Sequence, residues 1–364
     1  MLAFFYFPQC LLLCCSRFVW LYLESIWLLP IKLKSIWHFM LISILSVFSL
    51  GIGLFHISFV FIERIFFSWA IKPENKLMVY IIGAPRTGTT RLHKLLASDK
   101  NQFTAMKMWE LFFAPSLIQK KAFHFLGKID NTLFKDGISK SIQKVEKLLF
   151  SKFNDIHSLS LFNVEEDALV LFHLFYTYHL SFLLGTEQSY ANLNRNKNIP
   201  KAVWVYYKYC VENHQLQNLS KIYLAKNPFF SSHSKSLEML FPSVKFINIT
   251  RNIQEVAPSF FSMKKHLSKV FYSTNPSEQK YNEILDLLKY WQECGTELKE
   301  TEAIQVDYLD LKKQPSLVID KLYTFLNIDL TLTQQKVLLL EDEKSKIYQS
   351  NHKYIFGEFL DQDS

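Results

Sequence analysis

Two long apolar stretches open the chain. Met1–Leu23 carries Arg17 as its only charge, and Ile36–Ile62 contains no Asp, Glu, Lys or Arg. The second is long enough to cross a hydrocarbon layer of ~30 Å with some tilt, which makes it the main candidate for a membrane span. Trp27, Trp37 and Trp69 fall near the edges of these runs, where interfacial aromatics sit. The first stretch lacks a basic leader and a clear cleavage site, so a cleaved signal peptide is not expected. The alternative is a pair of apolar helices packed on the protein or lying in the membrane interface. Ile71–Lys76, IKPENK, reads as a polar linker in which Pro73 ends any preceding helix. The pattern therefore predicts a membrane-associated segment over 1–71 and a separate domain over 77–364.

Past the linker the periodicity changes. Leu77–Ile82 is a short apolar run rich in branched residues and bounded by Gly83, the signature of a buried strand, whereas Leu92, Leu95 and Leu96 within Arg91–Ser98 share one helical face. Lys221–Ala225 and Val244–Thr250 read as further strands, and Lys201–Leu219 and Ser234–Leu240 as helices. Strand and helix in alternation predict a doubly wound parallel sheet. The expected fold class is α/β, a P-loop-like parallel sheet flanked by helices, with an apolar helical N-terminal segment. Asn163 and Glu166 have capping-box spacing at the start of the apolar run Ala168–Leu184, which predicts a helix there, and acids in its first turn suit the helix dipole. Ser189–Ile199 reads as a loop, and Lys120–Phe150 shows weak helical patterns only.

Composition sharpens this picture in two ways. At 49% hydrophobic residues, 16% aromatic and a mean hydropathy of +0.05, the chain is greasier than a typical soluble enzyme, with the excess before residue 72. Its net charge of +8 suits an anionic ligand or an acidic membrane surface, but no dense Lys/Arg run of the nucleic-acid kind is present. The cysteines, Cys10, Cys14, Cys15, Cys210 and Cys294, are odd in number and lack metal-ligand spacing, so neither a disulfide framework nor a metal site follows. The first three read as small apolar helix residues, with S-acylation as the alternative. Charges flanking the apolar runs give no decisive orientation and no compartment.

The stretch between strand and helix, Gly83-Ala84-Pro85-Arg86-Thr87-Gly88-Thr89-Thr90, has the outline of a phosphate loop, since a helix N-terminus after a glycine-containing turn aims unpaired N–H groups at one spot. Thr89 stands where a kinase or ATPase would have Lys, which disfavours a triphosphate site. The positive charge lies instead at Arg86, whose planar fork suits an oxyanion, with Thr87, Thr89 and Thr90 as hydroxyl donors.

The string GAPRTGTT resembles the loop that binds the 5′-phosphosulfate of PAPS in sulfotransferases, in the branch with Arg in the loop that includes tyrosylprotein sulfotransferases and many bacterial enzymes. A second block, Phe241–Met263, FPSVKFINITRNIQEVAPSFFSM, resembles the family's other signature, a strand ending in Arg with Ser eight positions on. The resemblance implies that Arg86, Thr87, Gly88, Thr89 and Thr90 bind the cofactor's 5′ end and that Arg251 and Ser259 hold its 3′-phosphate. Ala303–Leu326 is similar to the closing strand and helix of the family, and the tail NHKYIFGEF to its C-terminal ending. Likeness covers scattered blocks from Leu77 to Asp361 and leaves the first 76 residues outside.

A neutral alcohol attacks sulfur poorly, so the reaction calls for a proton acceptor. Glu110, in Lys107-Met108-Trp109-Glu110-Leu111, stands where Arg-loop sulfotransferases carry a Glu that serves this role, and is the first candidate base. The triplet Glu165-Glu166-Asp167 is similar to an acidic triplet near the acceptor pocket of related enzymes, which makes Glu165 and Glu166 second candidates beside their capping role. Lys226, in Lys226-Asn227-Pro228, matches a Lys that faces the transferring sulfonate. Cytosolic sulfotransferases place a catalytic His just after it; Asn227, Pro228 and Phe229 stand there, and His233 lies too far along, which favours a Glu base. His173 and His179 read as buried core residues. The expectation is a PAPS-dependent sulfotransferase acting on a hydroxyl or amine of a small-molecule, lipid, saccharide or peptide acceptor. The alternatives are a P-loop kinase or nucleotide hydrolase and a non-catalytic membrane protein.

Overall fold

The structure, a computed structural model, describes residues 2–27, 33–67, 76–150, 160–180, 199–271 and 278–347. In chain order it begins with α1 (Leu2–Trp27), α2 (Leu33–Phe66), β1 (Met78–Ile82), α3 (Thr89–Ala97), β2 (Phe103–Thr104), α4 (Met108–Phe113), α5 (Leu117–Phe134) and α6 (Gly137–Phe150). A 3-10 helix Asp167–Leu174, α7 (Lys201–Gln215), β3 (Ile222–Lys226), a 3-10 helix Pro228–His233, α8 (Ser234–Leu240) and β4 (Val244–Thr250) follow. The chain continues through α9 (Ile253–Phe271), α10 (Glu278–Thr296), β5 (Ala303–Asp307), α11 (Tyr308–Lys313), α12 (Pro315–Leu326) and α13 (Leu332–Ile347). The linker up to Pro73 and Glu74, Trp69, the loop over 189–198 and the tail NHKYIFGEF lie outside the described residues.

The chain forms two compact units, one of Met1–Glu74, Ala105–Leu180 and Ile199–Leu219, the other of Asn75–Thr104, Ser181–Asn198 and Ser220–Ser364. The second is the α/β unit. Its sheet has the order β2-β3-β1-β4-β5 with every pairing parallel. All five residues of β1 are buried, as expected of a central strand covered on both faces. Tyr80 at its middle lies opposite Ala225 of β3 and Phe246 of β4. From β1 the chain builds outward on one side to β3 and on the other to β4, so the strand order reverses at β1 and the loops leaving β1 and β4 meet at the carboxyl end, where such sheets bind ligands.

The first unit is helical. Each N-terminal helix buries one stripe, Ala3, Tyr6, Cys10, Cys14 and Leu21 on α1 and His56, Ile57, Val60 and Phe61 on α2, while Phe4, Phe5, Leu12, Val47 and Phe48 stay exposed. The helices touch one another, α7 and the 3-10 helix Asp167–Leu174. At Gly53 the approach is so close that a Cβ would lie 2.4 Å from the carbonyl oxygen of His173. The last turn of α2 is polar and turned inward. Arg64 pairs with Glu212 at 2.8 Å and donates to Asn213 Oδ1 and the Tyr209 carbonyl, and the buried Glu63 carboxylate accepts the first N–H groups of α5, from Leu117 and Ile118. Glu63 thereby supplies the partners that a buried helix start requires.

Two segments differ from the sequence expectation. The run from Ala168, whose residues 181–184 lie outside the described residues, opens not as the expected α-helix but as a 3-10 helix, Asp167–Leu174, ended by Phe175 at φ 56°. Nearly all of its side chains are buried, so packing rather than helical period shapes it; the Asp167 carboxylate accepts from the Tyr207 hydroxyl, and Glu166, at the cap position, makes no capping bond. Conversely, the weakly patterned 120–150 stretch forms two helices, α5 and α6. Ser116 and Gln119 make a reciprocal capping box at the start of α5, and Asp130 accepts from the N–H groups of Ile138 and Ser139 at the start of α6.

Candidate active site

In the α/β unit the loop after β1 turns on Gly83 at φ 126°, where a Cβ would stand 2.4 Å from the Ile249 carbonyl oxygen, so only glycine lets β1 and β4 lie this close. The Gly83 N–H donates to Ser231 Oγ at 3.0 Å, and Thr87, fully buried, donates to the Ala84 carbonyl at 2.7 Å, which fixes the shape of the turn. Arg86 itself sits at φ 70°, a conformation non-glycine residues adopt mainly under constraint, of the kind concentrated at functional sites. Gly88, at φ 97°, is the N-cap of α3, and no side chain caps that helix. The N–H groups of its first turn, which begins with Thr89 and Thr90, therefore point toward the loop with the positive end of the helix dipole behind them.

The second block comes to the same place. Arg86 Nε donates to Ser259 Oγ on α9 at 3.0 Å, and Arg251 Nη1, just after β4, donates to the Arg86 carbonyl at 3.2 Å. Arg251 lies over the Tyr308 ring, 4.2 Å from its centroid, and its Nε and Nη2 both reach Glu255 Oε2 at 2.9 Å. From the end of β3, the buried Lys226 reaches Thr90 Oγ1 at 3.4 Å. Asn227, beside it, caps the next turn by accepting from the Phe229 N–H. Two guanidinium groups, an ammonium, serine and threonine hydroxyls and an uncapped helix N-terminus thus gather at the carboxyl end of β1, β3 and β4. This donor set suits an anionic ligand, and Arg86, Thr90, Arg251, Ser259 and Lys226 stand at one end of the sheet.

Glu110 belongs to the helical unit, on α4. Its Oε2 accepts the Lys107 N–H at 2.8 Å in the first turn, while Oε1 lies 3.0 Å from both Lys120 Nζ and His214 Nδ1. All three side chains are buried. Burial alone would raise the carboxyl pKa, but the Lys120 ammonium, then His214 and the Lys107 N–H, outweigh it and hold Glu110 well below the usual carboxylate range. His214 is pushed below its ordinary value by burial and then by Lys120, against the pull of Glu110. Neither Lys120 nor His214 was legible as a site residue: the Lys120-Lys121 pair reads as solvated charge, and only the face shared by Ser116, Gln119 and Lys120 hints that Lys120 turns inward.

Glu166 is elsewhere in that unit, partly exposed, with Oε2 2.9 Å from His179 Nε2; His179 Nδ1 lies 2.8 Å from Thr177 Oγ1. Glu165 is buried. The histidine expected to be buried at 179 is half-exposed and paired with a carboxylate, whereas His173 is fully buried and bonds Tyr206 through Nδ1 at 2.7 Å.

Residues 79–332 match the model of the Sulfotransferase family. Over 307 residues, 81% of this chain and 73% of theirs, the chain is 26% identical to the Omega-hydroxy-beta-dihydromenaquinone-9 sulfotransferases Stf3 of Mycobacterium tuberculosis and Mycobacterium bovis. Among solved structures, sulfotransferase STF1 from Mycobacterium tuberculosis H37Rv superposes with a TM-score of 0.63 at 17% identity, covering 84% of each chain. Sulfotransferase STF9 from Mycobacterium avium gives 0.64 at 14% identity, over 85% of this chain and 78% of that one. These two likenesses establish the fold.

Proposed function

The chain belongs to the sulfotransferase family, and we propose that its sulfonate donor is PAPS, that its acceptor is a hydroxyl on a lipid-like molecule, and that it works at a membrane. The observation that carries the donor reading is the meeting of Arg86, Ser259 and Arg251 through bonds of 3.0 and 3.2 Å, because PAPS needs one anion site for its 5′-phosphosulfate and a second for its 3′-phosphate. Arg86, Thr87, Gly88, Thr89 and Thr90, with the N-terminus of α3, would hold the first, and Arg251 and Ser259 the second. Bound there, PAPS supplies an activated sulfonate and a phosphate leaving group.

With the donor bound, Arg86 and the loop N–H groups would stabilise negative charge on the phosphate end and Lys226 would offer its ammonium to the sulfonate oxygens. Transfer of the sulfonate to a hydroxyl would release the acceptor proton, which a carboxylate of this chain would take up. We assign that role to Glu110, kept ionised by Lys120; Glu166, beside His179, is the second assignment. A kinase or hydrolase reading is not favoured, because Thr89 occupies the position of the P-loop Lys.

The acceptor class rests on the relatives at 26% identity, whose printed name is that of a sulfotransferase for a hydroxylated menaquinone derivative, together with the apolar helices of this chain. Helices over Leu2–Leu23 and Ser46–Phe66 are long and apolar enough to cross a membrane. We assign residues 1–71 to membrane association and 77–364 to catalysis. Glu63 and Arg64 tie α2 to α5 and α7, so the segment also completes the helical unit and the full chain is the form to assay. Incubating the full-length protein in lipid vesicles with labelled PAPS and a panel of hydroxylated isoprenoid, sterol, saccharide and peptide acceptors tests the reading. Label transfer to a lipid hydroxyl, lost in Arg86→Ala, is expected; transfer to none of the acceptors, or transfer unchanged in that variant, would overturn it.

A further inference from the structure

The α5–α6 hairpin, like α1 and α2, leaves apolar side chains exposed, but unlike them it sets these beside a dense series of lysines. On α5, Ile118, Ala122, Phe125, Leu126 and Leu133 recur at helical spacing and are exposed, with Leu133 at 69%. On α6, Ile138, Ile142, Val145 and Leu148 do the same, with Leu148 at 76%. Soluble surfaces seldom leave apolar stripes of this length uncovered.

The polar faces are basic. Residues 121–148 contain Lys121, Lys128, Lys135, Lys140, Lys144 and Lys147, all exposed, against the acids Asp130, Asp136 and Glu146. Two of those acids are buried and used internally: Asp130 caps α6, and Glu146 accepts the Leu161 N–H at 2.6 Å. The hairpin therefore presents six lysines and one exposed-side carboxylate beside apolar stripes. Lysines within every two turns prevent either helix from spanning a hydrocarbon layer, whereas a helix with an apolar stripe and a Lys-rich opposite face lies in the plane of a membrane interface, its ammonium groups at the phosphate level.

We propose that α5–α6 is an interfacial docking element that seats the enzyme on a bilayer rich in anionic lipid. It deepens the membrane reading above but rests on a different part of the chain. Two features favour a bilayer over a protein partner: the apolar stripes run the length of both helices, and six lysines face solvent against the single carboxylate of Asp136. The element is also continuous with the apolar helices. Glu63 of α2 accepts the first N–H groups of α5, and its chain neighbours Ile62, Phe66 and Phe67 are exposed.

The test is amide hydrogen exchange on the full-length protein in vesicles of phosphatidylcholine alone or with phosphatidylglycerol. Peptides covering 121–148 should exchange more slowly on the anionic vesicles. Each lysine near an anionic surface strengthens attachment by about fivefold, so changing Lys121, Lys128, Lys135, Lys140, Lys144 and Lys147 together to Gln should abolish the difference between vesicles. Leu126→Glu with Val145→Glu, at exposed positions that leave the fold intact, should remove protection on both. Equal exchange on the two vesicle types and in both variants would overturn the proposal. So would protection that survives the Gln variant and grows with protein-to-lipid ratio, which would mean that a second copy covers the face. Peptides from α1 and α2 report separately: their free exchange on all vesicles would sink the membrane role of residues 1–71 and leave the hairpin result standing.

Discussion

Replacing Glu110 by Gln separates catalysis from structure. The carboxylate binds Lys120 and His214 through one oxygen and the Lys107 N–H through the other, all at 2.8–3.0 Å. A carboxamide of the same shape keeps at most part of this and leaves the Lys120 ammonium, with 0% of its surface exposed, without its counter-charge. Stripping one partner from a buried ion pair costs about 3–5 kcal/mol, so Glu110→Gln should lower unfolding stability by roughly that amount. If Glu110 is also the base, turnover should fall about a hundredfold or more while affinity for PAP is retained. Adding Lys120→Met removes the stranded charge and should recover much of the stability, but not turnover. The assay pairs denaturant unfolding of the single and double variants with initial rates at saturating donor. Recovery of turnover along with stability would show that Glu110 acts only as a structural anchor. Full turnover in Glu110→Gln, with loss in Glu166→Gln, would move the base to the Glu166–His179 pair.

The remaining predictions concern the α/β site and acid stability. Arg251→Ala should weaken PAP binding by roughly 2–4 kcal/mol, yet cost at most about 1 kcal/mol of stability, because its partner Glu255 is half exposed; calorimetry and thermal unfolding check the two halves. Ser259→Ala should cost about 1 kcal/mol of PAP affinity. Gly83→Ala should prevent folding of the α/β unit, since the new methyl meets the Ile249 carbonyl at 2.4 Å, and soluble, PAP-binding protein would contradict it. His214 and Glu110 both have folded pKa values below their ordinary 6.5 and 4.5, so the unfolded chain binds more protons on acidification. Stability should therefore fall first as pH drops through about 6.5 and again through about 4.5. The fully buried His173 is likewise lowered by burial and adds to the upper step, so His214→Asn should shrink that step without removing it, and an unchanged pH profile in that variant would contradict the assignment.

The α/β core was legible because each step had a local cause. A central strand buried on both faces must be apolar throughout, and β1 and β4 stand within a residue of the expected runs; the turn chemistry of Gly83 and Gly88 marked the loop. The helical unit was harder to read. Asn163 and Glu166 have the spacing of a cap, but the Tyr207 hydroxyl takes the Asp167 carboxylate and His179 takes Glu166, partners that come from elsewhere in the fold. The same holds for Lys120 and His214, which meet Glu110 across sequence separations no periodicity encodes. The helices α5 and α6 were faint because their apolar stripes share the surface with lysines, so the pattern of a buried face was never present. The apolar N-terminal segment was visible as composition, but its inward polar end, Glu63 and Arg64, acquires meaning only from the groups it meets on α5 and α7.

Calorimetric titration of the full-length protein with PAP and with ATP tests the central claim most directly. A site built from Arg86 with Ser259 and Arg251, and lacking a Lys at Thr89, should bind PAP tightly and ATP weakly, with PAP binding reduced in Arg251→Ala. Tighter binding of ATP than of PAP, or PAP binding indifferent to Arg251, would contradict the account.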